Sequence, residues 1–405
     1  MHNASLRPAL PGKLARIGGR AASRLLGIDA ARALAIIGMV MVHAGPVEVP
    51  GIAGTAYTLP YGRASILFAT LAGIGVSLLT GDRSPQRLRD ARLRLLVRAA
   101  LLFPLGLVLQ AMSSESGIAV ILQYYAIYFL VAAAAAGLTD RRLLGVAAAL
   151  LLTGPLTLFF AVRAFPAWFE VGGSATIAHP LALARDLMLT GYYPVLTWTP
   201  PLLVGMWLGR RDLRPPSMRW RLLVVGAVVA VITYSGAWVL GEVFGAPADP
   251  HEPAALVMAE PHTEMPLSLV GGASVAVAVL GGSLLVTAWL PRTTWPLVAM
   301  GQLALTIYVG QLVLFAVAPD ALLRDTVPGA AFTVVRFTLV TLAAATLWRA
   351  LLPRGPLEAA FSAPWALSQR LRRRRDERNE QGEPRPPPGE DARRPPAPRR
   401  VIAPI

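Results

Sequence analysis

The sequence predicts an all-α, polytopic integral membrane bundle. Three observations support this: its composition, the recurrence of long apolar runs, and the placement of its arginines. Of its 405 residues, 55% are hydrophobic and only 15% charged, against about 25% charged in ordinary globular proteins. A helix crosses a hydrocarbon core of about 30 Å with about 20 mostly apolar residues, and such runs recur from about residue 28 to residue 352. The arginines cluster in the short segments between them, as in loops retained on the cytoplasmic side. A single N-terminal export signal does not produce that pattern.

Breaking the apolar runs at Pro, Gly and charged clusters gives about ten transmembrane helices. They lie near residues 28–47, 61–80, 95–112, 117–137, 143–163, 192–209, 221–243, 267–290, 297–318 and 331–352. Only Ser113, Ser114, Glu115 and Ser116 separate the third from the fourth. With this count the basic segments fall on one side: Arg7 to Arg24, Arg83 to Arg94, Arg141 and Arg142, Arg210 to Arg221, Arg292 and the tail. That side is the cytoplasm by the positive-inside rule, so both termini are cytoplasmic. Most acidic residues take the other side, among them Glu48, Glu115, Glu170, Asp186, Asp249, Glu252, Glu260, Glu264, Asp320 and Asp325, together with His179, His251 and His262.

The chain thus divides into a basic cytoplasmic arm (1–24), a transmembrane domain (25–360) and an Arg- and Pro-rich tail (361–405). The tail is too polar to bury a core and is expected to be disordered and cytoplasmic. Its run Arg372 to Arg375 favours anionic lipid headgroups. The net charge of +15 is therefore topological, and no nucleic-acid partner is expected. The absence of cysteine excludes disulfides, thiolate metal sites and a cysteine nucleophile. No metal site is expected, since His251, Glu252, Glu260, His262 and Glu264 match no ligand spacing. No internal repeat of the kind seen in many transporters is evident.

Ionisable side chains within membrane spans are costly and point to a cavity or a function. The first span carries Asp29 and Arg32 at its cytoplasmic end and His43 toward its outer end. Eleven helical steps return to nearly the same azimuth, so Arg32 and His43 share a face about 16 Å apart along the axis. Two readings stand side by side. In one, Arg32 snorkels and His43 bonds a neighbouring helix. In the other, Arg32 meets the anionic part of an acyl-CoA while His43 serves as general base on an acceptor, or itself accepts the acyl group.

The segment Ile28 to His43 resembles the start of acyltransferase family 3 proteins, in which an Arg, ten residues and a His open the first helix. The pair Arg89 and Arg92, in Arg-Asp-Ala-Arg, is similar to the basic loop of that family. More of the chain resembles the YeiB-like bacterial membrane proteins and the heparan-α-glucosaminide N-acetyltransferase-like catalytic domain. The segments carrying this likeness are Leu26–Arg32, Tyr61–Arg63, Gly191–Trp198, Gly205–Arg210, Pro261–Pro266, Gly301–Gln311 and Arg354–Glu358. In the ninth span Gln302 and Ile307 stand where the YeiB-like pattern has Arg and Asn.

The resemblance implies a multi-pass protein of the bacterial cell membrane that takes an acyl group, in the first place acetyl, from cytoplasmic acyl-CoA. The recipient would be an extracytoplasmic glycan or other hydroxyl- or amine-bearing small molecule. Acyl-CoA is then a co-substrate, with no bound cofactor. His43 and His262 are the implied catalytic residues, and Asp29, Arg32, Arg89 and Arg92 the donor-binding ones. In the ninth span Tyr308 and Gln311 share one face and Gln302 and Thr306 another; Tyr308, Gln311 and Thr306 are assigned to the substrate cavity. Tyr192, Tyr193, Trp198, Trp207, Trp289 and Trp295 are read as aromatic-belt anchors. The alternative is a transporter or exporter of an anionic small molecule or lipid-linked solute. Membrane lipids are partners in either case.

Overall fold

The computed structural model describes residues 25–46, 49–81, 83–166, 177–245, 247 and 253–368. Among these residues every regular element is helical. The whole basic arm, the tail beyond 368, and Glu48, Glu170, Asp249, His251 and Glu252 lie outside the described residues. The described residues fall into two units, one within 1–361 and the other within 362–405. Of the second, residues 362–368 are described and are helical.

In the first unit the helices are α1 (Leu26–Ala44), α2 (Gly51–Thr58), α3 (Arg63–Thr80), α4 (Pro85–Met112), α5 (Leu122–Ala135) and α6 (Asp140–Ala164). A short α7 (Pro180–Arg185) runs into a π-turn at Asp186–Thr190 and is followed by α8 (Val195–Leu208), α9 (Pro216–Phe244) and α10 (Pro266–Trp289). Next come α11 (Trp295–Gln302), α12 (Ala304–Val317), α13 (Pro319–Leu322) and α14 (Val327–Leu351). Among the described residues seven helical segments are long and apolar enough to cross a membrane, and the bent pair α11–α12 would make eight. The apolar helices α5 and α8 are shorter, at 14 residues each.

Small residues place α1 at the centre. Ala31, Ala33, Ala35 and Ile36 are wholly buried, and α3, α10, α11 and α14 all pack on this helix. Gly27 lies against the Leu284 backbone of α10, and Gly301 of α11 against the Asp29 carbonyl. With no hydrophobic drive between helices in lipid, such close backbone approach is a main source of association. The α3–α8 crossing works the same way: a side chain at Gly73 would meet the Leu202 carbonyl, and one at Gly205 the Thr70 carbonyl. Ser77 adds a 2.5 Å hydrogen bond to the Met206 carbonyl.

The predicted ninth span is not one helix. It bends by 76° between α11 and α12, at Leu303, whose φ of −106° and ψ of 26° leave the helical region. An interrupted helix exposes N–H groups that lipid cannot satisfy. Here Glu358 takes them: its Oε1 accepts from Leu305 N at 2.8 Å and Thr306 N at 3.1 Å, and its Oε2 accepts from the Thr306 hydroxyl at 2.6 Å. A carboxylate at this position also meets the positive end of the helix dipole. The Arg354–Glu358 segment therefore caps a half-helix.

Candidate functional site

The site is built on α1, which carries Asp29, Arg32 and His43 on one uninterrupted helix. Asp29 is 1% exposed, and a carboxylate so buried needs partners. Arg32 Nη1 donates to its Oδ1 at 2.7 Å, and Gln302 Nε2 to its Oδ2 at 3.4 Å. Gln302 in turn accepts from Arg349 Nε at 2.7 Å. This chain of contacts fixes Arg32 from behind. Its guanidinium lies beside Gly75 of α3, where an added Cβ would come within 3.5 Å.

Arg32 does not stand alone. Its charge reaches Arg98 of α4, which also feels Arg94 one turn away, and it reaches the Tyr125 hydroxyl of α5. Arg94 has Asp90 nearby, whereas Arg98 has no acidic partner among the described residues. The face of α4 turned to Arg32 thus carries Arg94 and Arg98. Of the predicted donor residues, Arg92 donates to the Ala133 carbonyl at 3.0 Å and joins α4 to the end of α5, while Arg89 is exposed. Neither has a contact with Arg32 in the structure.

Beyond Arg32 the interior is aromatic and then polar. Phe68 of α3 packs between Tyr125, with ring centroids 5.5 Å apart, and Tyr308 of α12, at 6.3 Å. The Tyr308 hydroxyl accepts from Ile121 N at 3.2 Å. One turn on, Gln311 is 1% exposed, and neither its Oε1 nor its Nε2 has a hydrogen-bond partner. One further turn on, Phe315 meets the His43 ring edge-on at 5.8 Å. The Tyr125 hydroxyl and His43 Nδ1 are likewise buried and unbonded. A buried polar group left unpaired costs about 1–3 kcal/mol, and such groups call for a functional reason. Three of them, Tyr125, Gln311 and His43, occur along one path from Arg32. Thr306, the third predicted cavity residue, is instead committed to Glu358.

His262 occupies a separate cluster, sharing no ring contact with His43. Its ring is caged by Tyr61 at 5.0 Å, Tyr192 and Tyr193 at 5.6 Å, and Trp198 at 5.5 Å. Its Nδ1 lies 3.1 Å from the Tyr192 carbonyl. A carbonyl only accepts, so Nδ1 carries the proton and Nε2 keeps its lone pair. Burial lowers the His262 pKa to about 4, so this ring is neutral near pH 7.

Beside it lies Glu264, 7% exposed. It accepts from the Thr197 hydroxyl at 2.8 Å and, through the same oxygen, from the Trp198 indole N–H. Burial raises its pKa to about 8, against the opposing effect of those two hydrogen bonds. Both His262 and Glu264 have left-handed φ values, 59° and 61°. Non-glycine residues held there store strain of order 1–3 kcal/mol and concentrate at functional sites. Tyr193 and Trp198, expected as belt anchors, are only 6% and 1% exposed. They are walls of this cluster, because the Gly191–Trp198 segment folds inward over Glu264. Tyr192 and Trp289, by contrast, are 53% and 62% exposed.

The model of a family described as heparan-alpha-glucosaminide N-acetyltransferase, catalytic, matches residues 24–241, more than half of the chain. The chain belongs to this family. It is therefore a membrane protein of an acetyltransferase family, as the ordered segments from Leu26 to Arg210 implied. No curated protein matches the chain. The matched stretch holds Arg32, His43, Tyr125 and Trp198 and ends before His262, Glu264 and Gln311.

Proposed function

We propose that this protein is a membrane acyltransferase that moves an acyl group, in the first place acetyl, from cytoplasmic acyl-CoA to a hydroxyl or amine acceptor on the other side of the bilayer. The observation that carries the reading is the line of unbonded polar groups from Arg32 to His43 of α1, past Tyr125 of α5 and Gln311 of α12, in a chain of an acetyltransferase family. Counting the bent pair and the two shorter apolar helices with the seven long ones supports ten spans with both ends cytoplasmic. Arg32, Arg94 and Arg98 then face the cytoplasm, where guanidinium groups suit the phosphates of CoA. His43 lies toward the acceptor side. A multi-pass protein of the bacterial plasma membrane fits this arrangement.

In this mechanism His43 takes the proton from the acceptor's O–H or N–H as that atom attacks the thioester carbonyl. The new C–O or C–N bond forms, the C–S bond breaks, and the imidazolium returns the proton to the departing thiolate. The amide of Gln311, buried and with both polar atoms unbonded, is suited to hold the substrate carbonyl or acceptor near the ring. His262 with a bare Nε2 and the neutral Glu264 belong to the acceptor end. A glycan suits the aromatic walls there, since sugar rings stack on Tyr and Trp faces.

The bend between α11 and α12 favours one competing reading, because solute transporters use broken helices to bind ions. The half-helix end is, however, already filled by Glu358, which supports the enzyme. The two readings separate in one experiment. Membranes containing the wild type or His43→Ala are supplied with labelled acetyl-CoA, and acetylated product and free CoA are measured. Wild-type product that His43→Ala abolishes supports the transferase. Solute flux with no CoA release would establish the transporter instead.

A further inference from the structure

A cavity of about 910 Å³ opens among α6, α8, α9 and α10, within the range of about 300–1,000 Å³ typical of small-molecule sites. Helix α6 packs on α8, and α9 on α10, so α6 and α9 form side walls and α8 and α10 the floor. The lining is apolar for most of its length, through Leu151, Pro200, Val204, Val225, Val229 and Val277. Val225 and Val229 are also 51% and 36% exposed, and Val228 and Ile232 beside them 50% and 65%. The outward face of α9 is thus that of a helix in lipid.

One end of this groove is charged. Trp207, Arg211, Asp212 and Arg221 line it. Arg211 pairs with Asp140 at 2.8 Å and lies over the Trp207 ring at 4.8 Å. Asp140 is itself shared with Arg210 at 2.8 Å and Arg83 at 3.9 Å. Asp212 pairs with Arg214 at 3.6 Å. Arg221 is exposed and has no acidic partner among the described residues. The end of the groove therefore carries an excess of positive charge at the level of an arginine-rich loop.

We infer that this groove is a binding site for an anionic phospholipid, with the headgroup phosphate on Arg221 and Arg211 and one acyl chain lying along Val204, Val225 and Val229. Its depth supports this occupant. From Met218 to Val229 the α9 wall of the cavity rises about 16 Å at 1.5 Å per residue, about half of a hydrocarbon core of about 30 Å. One leaflet's chain fills that length. A zwitterionic lipid leaves the excess charge unanswered, and a soluble phosphate leaves the apolar walls uncovered. The site is independent of the path through Arg32 and His43, with which it shares no residue.

The test is native mass spectrometry of the full-length protein, purified in detergent and given equal amounts of phosphatidylglycerol and phosphatidylcholine with the same chains. The wild type is expected to retain phosphatidylglycerol in preference. Arg221→Gln should reduce that preference about fivefold, the worth of one basic residue near an anionic headgroup, while Arg221→Lys keeps it. Ala273→Trp, which fills the groove, should remove the bound lipid. Arg221 is exposed, so its variants decide the matter even where Ala273→Trp fails to fold. Equal retention of both lipids by the wild type, or a preference unchanged in Arg221→Gln, would overturn the proposal and leave ordinary annular lipid only.

Discussion

Glu264→Gln tests the buried acidic cluster most sharply, because Gln reproduces the shape and neutral charge of the protonated carboxyl. In the fold Glu264 titrates near 8, against 4.5 for an unhindered carboxyl. The raised value means that the folded state holds its proton more tightly than the unfolded state between those two pH values. Stability contributed by the neutral group is therefore complete below about pH 4.5. It falls as pH rises, by about 1.4 kcal/mol per pH unit, and levels off above pH 8. From pH 6 to pH 9 the wild type should lose about 2–3 kcal/mol relative to Glu264→Gln. His262, which titrates near 4, is present in both proteins and cancels in the difference. The assay is reversible unfolding in mixed detergent micelles at pH 6, 7, 8 and 9 for both proteins. Stability curves that run parallel over this range would show that Glu264 ionises as an exposed carboxylate does, and the account of its cluster would fail.

Three further outcomes follow from the geometry. Gln311→Leu removes an amide with no protein partner for either atom, so stability should hold or rise by about 1 kcal/mol while acetyl transfer falls at least tenfold; a destabilised variant would place a structural hydrogen bond there. Arg32→Gln should raise the KM for acetyl-CoA more than it lowers kcat, because it removes a donor contact rather than the base, and an unchanged KM in steady-state assays contradicts that assignment. Glu358→Ala strips the cap from α12, removing three hydrogen bonds. It should cost about 2–4 kcal/mol of unfolding free energy, with Glu358→Gln recovering part; an equal loss in both variants would point to charge alone.

The long helices were legible because lipid demands runs of apolar residues, and helices lie at each predicted span, the ninth as the bent pair α11–α12. Asp29, Arg32 and His43 were legible for the same reason, since polar groups stand out against an apolar helix. What could not be read depends on contacts between distant segments. No proline marks the break at Leu303; it arises where Gly301 presses on the Asp29 backbone and Glu358 waits to receive the freed N–H groups. Arg94 and Arg98 lie on a different face of α4 from Arg89 and Arg92, and which face comes within reach of Arg32 depends on how α4 packs. Tyr193 and Trp198 looked like interfacial anchors by position, and only the inward fold of their segment buries them. Glu264 was visible as one outer acidic residue among many, and its left-handed backbone and indole partner leave no trace in composition.

Transfer across the bilayer through His43 is open to a direct test. Its most direct measurement uses proteoliposomes with labelled acetyl-CoA, which does not cross the membrane, on the Arg32 side and an amine or hydroxyl acceptor sealed on the other. Wild-type protein should yield acetylated acceptor in the opposite compartment with stoichiometric CoA release, and His43→Ala should yield none while binding acetyl-CoA as before. Equal product from both proteins, or product only on the donor side, would contradict the account.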